Sequence, residues 1–231
     1  MTLRRRFYKT ASVTDDLGVA LDGRQLKTPM RAALLLPPRP LAEAVAEEWA
    51  AQGEEITPAG MTFTKLANTA IDRVRPDRAR IEAEVSDYAN SDLVCYRADR
   101  PPELVDRHRK NWDPVVDWAR TELDAPFEVT EGVIHKAQAP AAITAHALAL
   151  KDLNEFELAA YHTIMTLTGS ALIAMMLAHR ATVPEAAWIA AHVDEDYQIE
   201  QWGQDAEAQA RRAARYGEFM ASCRFMALAR G

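Results

Sequence analysis

The pattern of apolar and polar residues changes character about sixty residues into the chain. Before that point it favours short strands, most clearly a hairpin in which Asp22-Gly23 joins two short runs. After Gly60, apolar residues recur three and four positions apart, which predicts helices almost to the C-terminus. We therefore predict an α+β fold, with a small β-rich N-terminal domain at residues 1–58 and a larger, mainly α-helical C-terminal domain at residues 59–231.

Several element boundaries follow from helix-breaking and capping residues. One helix is predicted inside the first domain at about Leu41–Gln52, and the second domain opens with a helix at Thr62–Val74. Pro114 interrupts a helical pattern, which predicts a kink or a new helix there. The run Thr182-Val-Pro-Glu185 fits a capping box, and Asp205 can cap the last helix.

Glu195 is the most informative residue, because it interrupts an apolar helical stripe. If Glu185–Trp202 is one helix, Trp188, Ile199 and Trp202 lie along one face at 100° per residue. Glu195 falls in the middle of that face, seven residues from each tryptophan. A carboxylate between two tryptophans is costly unless something pairs with it. Its partner is therefore either inside the protein or outside it.

Three interpretations of Glu195 stay open on the residues alone. It can pair with an arginine of the same chain, for which Arg215 in the last helix is one candidate. It can contact a partner protein, since tryptophan is enriched at the energetic centres of interfaces. It can also act with His192 as an acid/base pair in a small hydrolase or transferase, which requires a concave pocket around both residues.

Composition narrows the functional classes. The 231 residues carry a net charge of −7, which disfavours a general nucleic-acid binder. No apolar run approaches the roughly 20 residues that a membrane span needs. Cys95 and Cys223 fit buried, reduced thiols better than a disulfide framework. His192 and Glu195 lie one turn apart, but a helical metal site needs more ligands, so we expect neither a metal nor a cofactor.

A set of residue strings covers nearly the whole chain and is specific in combination. The strings are Arg6-Phe-Tyr-Lys9, Gly18-x-x-Leu-Asp-Gly-Arg-x-Leu-Lys-Thr-Pro29, Glu48-Trp49, Leu66-Ala-Asn-Thr-Ala-Ile-Asp72, Asp92-Leu-Val-Cys-Tyr-Arg97, Trp112-Asp-Pro114, Thr168-Gly-Ser170, Ala187-Trp188, Asp194-Glu195 and Trp202-Gly-x-Asp205. Together they resemble the F1-ATPase assembly chaperones that act on the alpha subunit of ATP synthase. Thr62 departs from the family pattern, where Met-Pro is common, and this affects only a helix start.

The resemblance implies an ATP-independent chaperone that is not an enzyme. Such a protein binds the free alpha subunit of the F1 sector and shields its beta-facing interface until the catalytic hexamer assembles. The family fold is a smaller β-rich domain followed by a helical one, and its functional weight falls on the acidic segment that here matches Glu195, Asp196 and Glu200. With the apolar stripe added, the predicted partner-binding residues are Glu195, Trp188, Trp202, Asp196, Ile199 and Glu200.

The expected partner is thus the alpha subunit, with no nucleic acid and no membrane, and we expect a monomer when the protein is free. The basic start Met1-Thr-Leu-Arg-Arg-Arg6 is not followed by the apolar segment of a secretory signal. Without a long transit peptide, the sequence predicts a bacterial cytoplasmic protein, with the mitochondrial matrix as the alternative.

Overall fold

A computed structural model describes residues 4–132 and 134–231, so the first three residues of the basic start lie outside the described part of the chain. The chain divides into two compact units. The N-terminal unit comprises Met1–Arg78, Asn154–Ala160 and Ala221–Gly231, and the helical unit comprises Ala79–Leu153 and Tyr161–Met220. The domain division expected after residue 58 stays a prediction.

Short strands open the chain. In the N-terminal unit, β1 (Arg4–Arg5) pairs antiparallel with β5 (Glu55–Ile56). A separate antiparallel sheet has the order β2 (Ala11–Val13), β3 (Val19–Leu21), β4 (Arg24–Gln25). In the helical unit, β6 (Tyr96–Arg97) pairs parallel with β7 (Thr130–Glu131).

The predicted hairpin is confirmed between β3 and β4. Asp22 and Gly23 have φ angles of 48° and 77°, the two positive values that a type I′ turn requires. Leu21 pairs with Arg24 across the turn. The Asp22 carboxylate also accepts hydrogen bonds from the backbone N–H and the hydroxyl of Thr10, at 2.8 and 3.0 Å. The turn residue therefore also fixes the segment that leads into β2.

One helix, α1 (Arg39–Ala50), precedes residue 60, and helices make up most of the described chain after that residue. The later helices are α2 (Thr62–Thr69), α3 (Arg78–Ala89), α4 (Pro102–Glu122), α5 (Pro140–Ala149), α6 (Glu155–Thr168), α7 (Ala171–Ala178), α8 (Pro184–Ala191), α9 (Val193–Trp202) and α10 (Ala206–Arg230). A π-helical turn, Ala70–Val74, extends α2 to the predicted end. The predicted α+β class is confirmed. Within the described residues, no helix is both long enough and apolar enough to cross a membrane.

The start of α2 is capped from another helix. Met61 precedes it without a side-chain cap. Instead, the Glu48 carboxylate of α1 accepts the backbone N–H groups of Phe63 and Thr64, each at 2.8 Å. These are among the N–H groups that a helix leaves without an internal partner at its N-terminus, and a negative charge is favoured there. Glu48 thus ties α1 to α2 within the N-terminal unit.

One boundary prediction is wrong and one is confirmed, while at Pro114 no new helix begins and the kink stays a prediction. Pro114 lies inside α4 and begins no new helix; Trp112 and Val115 are buried beside it, and this burial offsets the cost of roughly 3 kcal/mol for an internal proline. The capping box at residues 182–185 does not form, because Val183 is the N-cap and makes no side-chain bond. Asp205 does cap α10, accepting the Ala208 N–H at 2.7 Å.

A buried polar network fixes α7 in the core of the helical unit. Ser170 caps the helix by accepting the Ile173 N–H at 3.0 Å. The fully buried Asp92 carboxylate accepts N–H groups of Leu172 and Val94, at 2.9 and 3.1 Å, and the Ser170 hydroxyl also bonds to it. Burial nevertheless raises the pKa of Asp92 to about 6, above its usual 3.8.

The same core holds a buried histidine. The Nε2 atom of His146 lies 2.8 Å from the Tyr161 hydroxyl, which itself donates to the Ala171 carbonyl at 2.7 Å. Since the Tyr161 proton is used, His146 donates from Nε2 and is neutral. Burial lowers the pKa of His146 to about 4, because charging an imidazole away from water is unfavourable.

Candidate partner-binding site

The predicted helix Glu185–Trp202 is two helices, so the single apolar stripe is wrong. α8 ends at Ala191 and α9 begins at Val193. The His192 side chain accounts for the break. Its Nδ1–H donates to the Trp188 carbonyl at 2.8 Å, and its backbone N–H donates to the Ile189 carbonyl at 3.2 Å instead. With the helix interrupted, positions before and after His192 no longer follow one 100° progression.

The two tryptophans consequently occupy different environments. Trp188 is 7% exposed and Trp202 is 77% exposed. Trp188 stacks on His192 with ring centroids 3.7 Å apart and meets Tyr216 and Phe219 at 5.1 and 5.2 Å. Trp188 is therefore a core residue with one edge near the surface, whereas Trp202 presents its ring to solvent.

Glu195 lies at ion-pair distance from two side chains and forms a hydrogen bond with neither. Its Oε2 atom lies 3.9 Å from Nε2 of His192 and 3.8 Å from Nη1 of Arg212. Both separations exceed hydrogen-bond length, and no hydrogen bond reaches this carboxylate from the residues that the structure describes. The side chain is 37% exposed. Glu195 is thus a partly buried carboxylate that still has room for a donor.

His192 cannot close this gap at neutral pH. Because its Nδ1 proton goes to the Trp188 carbonyl, the neutral ring presents a lone pair at Nε2 toward Glu195. Burial is the largest cause that lowers the pKa of His192 below its usual 6.5. The ring is therefore neutral at pH 7, and Glu195 faces an acceptor instead of a donor.

The arginine of the same chain that lies next to Glu195 and Asp196 is Arg212. Its Nη2 atom donates to Oδ1 of Asp196. Arg215, the candidate considered from the sequence, donates instead to the Leu167 carbonyl at 2.9 Å. Arg212 thus bonds to Asp196 and only approaches Glu195, so Asp196 is the satisfied member of the two adjacent acids.

The remaining acids of α9 are bound to α4. Glu200 accepts two hydrogen bonds from Arg107, at 2.9 and 2.5 Å, and this pairing lowers the pKa of Glu200. Asp194 accepts a bond of 2.7 Å from Nε2 of His108, whose Nδ1 is occupied by the Ala98 N–H at 3.1 Å. Of the four acids near the start and middle of α9, Glu195 alone lacks a hydrogen bond within the described residues.

A groove of about 490 Å³ lies beside Asp196 and is formed by α8, α9 and α10. Its walls include Trp188, Ile189, Asp196, Ile199, Arg212 and Tyr216, and we call it the Trp188 groove. Three of the predicted site residues thus share one concavity. Glu195, Glu200 and Trp202 do not line it.

The Trp188 groove does not supply the pocket that the acid/base alternative requires. Neither His192 nor Glu195 lines the Trp188 groove, and the His192 side chain is only 5% exposed. Among residues 4–132 and 134–231, no three His, Cys, Asp or Glu side chains gather as metal ligands. The face presents one carboxylate without a hydrogen bond, an exposed tryptophan and a groove with apolar walls.

Sequence comparison identifies relatives across the chain. Residues 5–120 match the family model of the ATP12 chaperone protein. The mitochondrial protein atp12 of Schizosaccharomyces pombe is 23% identical over 221 residues, which cover 86% of this chain and 74% of that protein.

Solved structures agree over nearly the full length. The crystal structure of ATP12 from Paracoccus denitrificans has 38% identity and a TM-score of 0.89, covering 98% of both chains. A candidate chaperone from Agrobacterium tumefaciens has 41% identity and a TM-score of 0.91, covering 97% of this chain and 85% of that one. The chain therefore belongs to the ATP12 chaperone family, which confirms the resemblance found in its sequence.

Proposed function

We propose that this protein is an ATP-independent, non-enzymatic chaperone that binds the free alpha subunit of the F1 sector of ATP synthase. It shields the beta-facing interface of that subunit until the catalytic hexamer assembles. Membership of the ATP12 family supports the role in ATP synthase assembly. The observation that supports the binding face is Glu195, a carboxylate between buried groups that accepts no hydrogen bond from the described residues.

The task requires a surface that holds an apolar client and later releases it. A subunit that awaits its oligomer exposes a large apolar patch, which invites aggregation. A moderate interface with a few anchors suits temporary cover better than an obligate one. The helical unit offers exposed apolar side chains for this purpose, since Ile189 is 54% and Trp202 is 77% exposed.

The predicted site residues divide into two groups in this proposal. Glu195 and Trp202 can meet the client directly, Glu195 through an arginine, a lysine or backbone N–H groups. Asp196 and Glu200 are bound to Arg212 and Arg107, so they bind the client only if those arginines exchange partners. Trp188 and Ile199 act from the walls of the Trp188 groove.

The direct test is capture of purified subunits. The tagged chain is mixed with free alpha subunit, and separately with free beta subunit, in buffer with and without ATP. The proposal expects an alpha complex of equal yield in both buffers and no beta complex. Equal capture of beta, a requirement for ATP, or no capture of alpha would each contradict it.

We further propose a bacterial cytoplasmic location, with the mitochondrial matrix as the alternative. The relatives come from both settings, two bacteria and a fungal mitochondrion. Cell fractionation with antibody detection tests this. Recovery with the soluble cytoplasmic or matrix marker is expected, and recovery with secreted proteins would contradict it.

A further inference from the structure

We infer that the Trp188 groove receives a large apolar side chain of the client, next to a basic client residue that meets the carboxylates at its rim. The inference rests on the proposed chaperone function and specifies its recognition chemistry. Two independent features of the groove lead to it: the composition of its walls and the imbalance of its charges.

The walls favour an apolar anchor. Trp188 and Tyr216 meet edge to face with ring centroids 5.1 Å apart, and Ile189 and Ile199 lie beside them in the lining. More than half of Ile189 is exposed, so apolar area is left uncovered next to aromatic rings. Such pockets hold the residues that dominate binding energy at interfaces, which are mostly large side chains that become fully desolvated.

The charges favour a basic neighbour. Glu185, Asp196 and Arg212 are ionisable groups of the lining. Arg212 also faces Glu195, so one guanidinium lies between two carboxylates, and Glu185 forms no ion pair within the described residues. The lining itself holds two carboxylates and one arginine, a surplus of one negative charge, and Glu195 adds to it beside Arg212. Arg107 and Arg215, whose charges reach Asp196 and His192, do not line the groove. A complementary client segment carries positive charge at this position.

The groove fits a polypeptide side chain better than a small metabolite. Small-molecule sites combine apolar walls with convergent polar groups that fix the ligand's orientation. In the described part of the chain, the buried side-chain polar atoms that lack a partner belong to Trp49, Arg97 and His146, since the Glu157 oxygen is ion-paired with Arg230 at 2.7 Å. None of these lines the groove, so no unsatisfied buried group awaits a polar ligand there.

Two adjacent alanines of α10 provide a matched test. Ala213 lines the groove and Ala214 does not, and both are exposed, so a larger side chain at either should leave the fold intact. Ala213→Phe fills the groove and should weaken binding of purified alpha subunit by about tenfold or more. Ala214→Phe should bind like the parent protein. A second variant, Ile189→Gln, removes apolar wall area and should weaken binding in the same direction.

The salt dependence of binding tests whether a basic client residue meets the carboxylates of the groove. Affinity of the parent protein for the alpha subunit should fall as ionic strength rises, and Glu185→Gln should make that dependence shallower. Equal salt dependences for the parent protein and Glu185→Gln would overturn the inference that a basic client residue lies there.

The outcomes separate this inference from the proposed function. If Ala213→Phe and Ile189→Gln bind the alpha subunit as the parent does, the groove assignment is overturned and the chaperone function stands. If the parent protein binds no alpha subunit, both are overturned. A change in the chain's own oligomeric state without a change in alpha binding would assign the groove to a second copy, which also overturns the inference.

Discussion

The Nε2 atom of His192 lies 3.9 Å from the Oε2 atom of Glu195, and no proton is available on His192 to join them at neutral pH. The single N–H of the neutral imidazole donates to the Trp188 carbonyl. The carboxylate is therefore held in place by its helix and left chemically open. A chaperone that must take up and give back its client can use such an acid.

A lower pH should weaken client binding at Glu195. The pKa of His192 lies below its usual 6.5, mainly through burial, with Arg215 and Arg212 lowering it further and Glu195 opposing them. Once protonated, His192 can bond to Glu195 and compete with the client. We expect the alpha affinity of the parent protein to fall more steeply than that of His192→Gln as pH decreases below the usual histidine pKa of 6.5, because the pKa of His192 lies lower still. Parallel profiles in a binding titration would contradict this mechanism.

Arg212 provides a test of internal against external pairing. Its hydrogen bond goes to Asp196 and not to Glu195, so Arg212→Gln should cost only about 1 kcal/mol of unfolding free energy at this partly exposed position. Alpha affinity should be retained or increased, because Glu195 loses a competing cation. A double-mutant cycle on stability should give a Glu195–Arg212 coupling below about 0.5 kcal/mol. A coupling above about 1 kcal/mol would restore the internal interpretation.

Asp92 should impose a pH dependence on stability. Its folded-state pKa is about 6 against a usual 3.8, so between these values the folded chain keeps a proton that the unfolded chain has lost. Stability must therefore fall as pH rises through this window, by roughly 3 kcal/mol in total. In urea unfolding across the same window, the stability of the parent protein minus that of Asp92→Asn should fall by this amount as pH rises, since the other groups titrate alike in both proteins. The exposed acid variant Asp87→Asn should follow the parent profile, and a pH-independent difference between the parent and Asp92→Asn would contradict the assignment.

His146 should act in the opposite direction over nearly the same window. Its folded-state pKa is about 4 against a usual 6.5, so the unfolded chain binds the proton first as pH falls. Stability is lost as pH falls from the upper to the lower of these values, again by roughly 3 kcal/mol. His146→Gln should remove this loss and expose the Asp92 decline that it offsets in the parent protein. A His146→Gln profile that runs parallel to the parent's would show that His146 does not titrate this way.

The hairpin turn offers a test of the N-terminal unit. Gly23 has a φ of +77°, and a Cβ atom added to it would meet only open space, so Gly23→Ala should cost about 1–2 kcal/mol through backbone strain alone. Gly53 has equal space and no positive φ, which makes Gly53→Ala the control with little change. Thermal unfolding of both variants checks this, and equal stability would argue against a type I′ turn.

The sequence predicted correctly the elements that depend on residues close together in the chain. The Asp22-Gly23 hairpin and the Asp205 cap depend on residues a few positions apart, and both formed as expected. The continuous helix at Pro114 and the break at His192 depend on contacts that local rules do not include. In the first case burial of the surrounding helix outweighed a local penalty, and in the second a side chain took the carbonyl that its own backbone would have used.

The predicted partner-binding residues stay a prediction. Trp188, Asp196 and Ile199 line one groove, although the single helix that placed Glu195 and Trp202 on the face of Trp188 does not form. Their neighbours Arg212 and Tyr216 belong to α10, the helix after Gly203. The helical periodicity of α9 does not continue into α10, so it could not place them. The i, i+4 spacing of those two residues on α10 was the available signal, since it places them on one helix face.

The most direct test of the chaperone proposal is the affinity of purified alpha subunit for Glu195→Gln, with Glu207→Gln as the matched control. Glu207 is an 83% exposed acid of α10 paired with Arg211, so its loss removes the same charge from solvent. We predict that Glu195→Gln folds normally and loses about 2–5 kcal/mol of binding free energy, roughly 30- to 5,000-fold in affinity, while Glu207→Gln binds as the parent does. A normally folded Glu195→Gln protein with unchanged affinity would contradict the central claim.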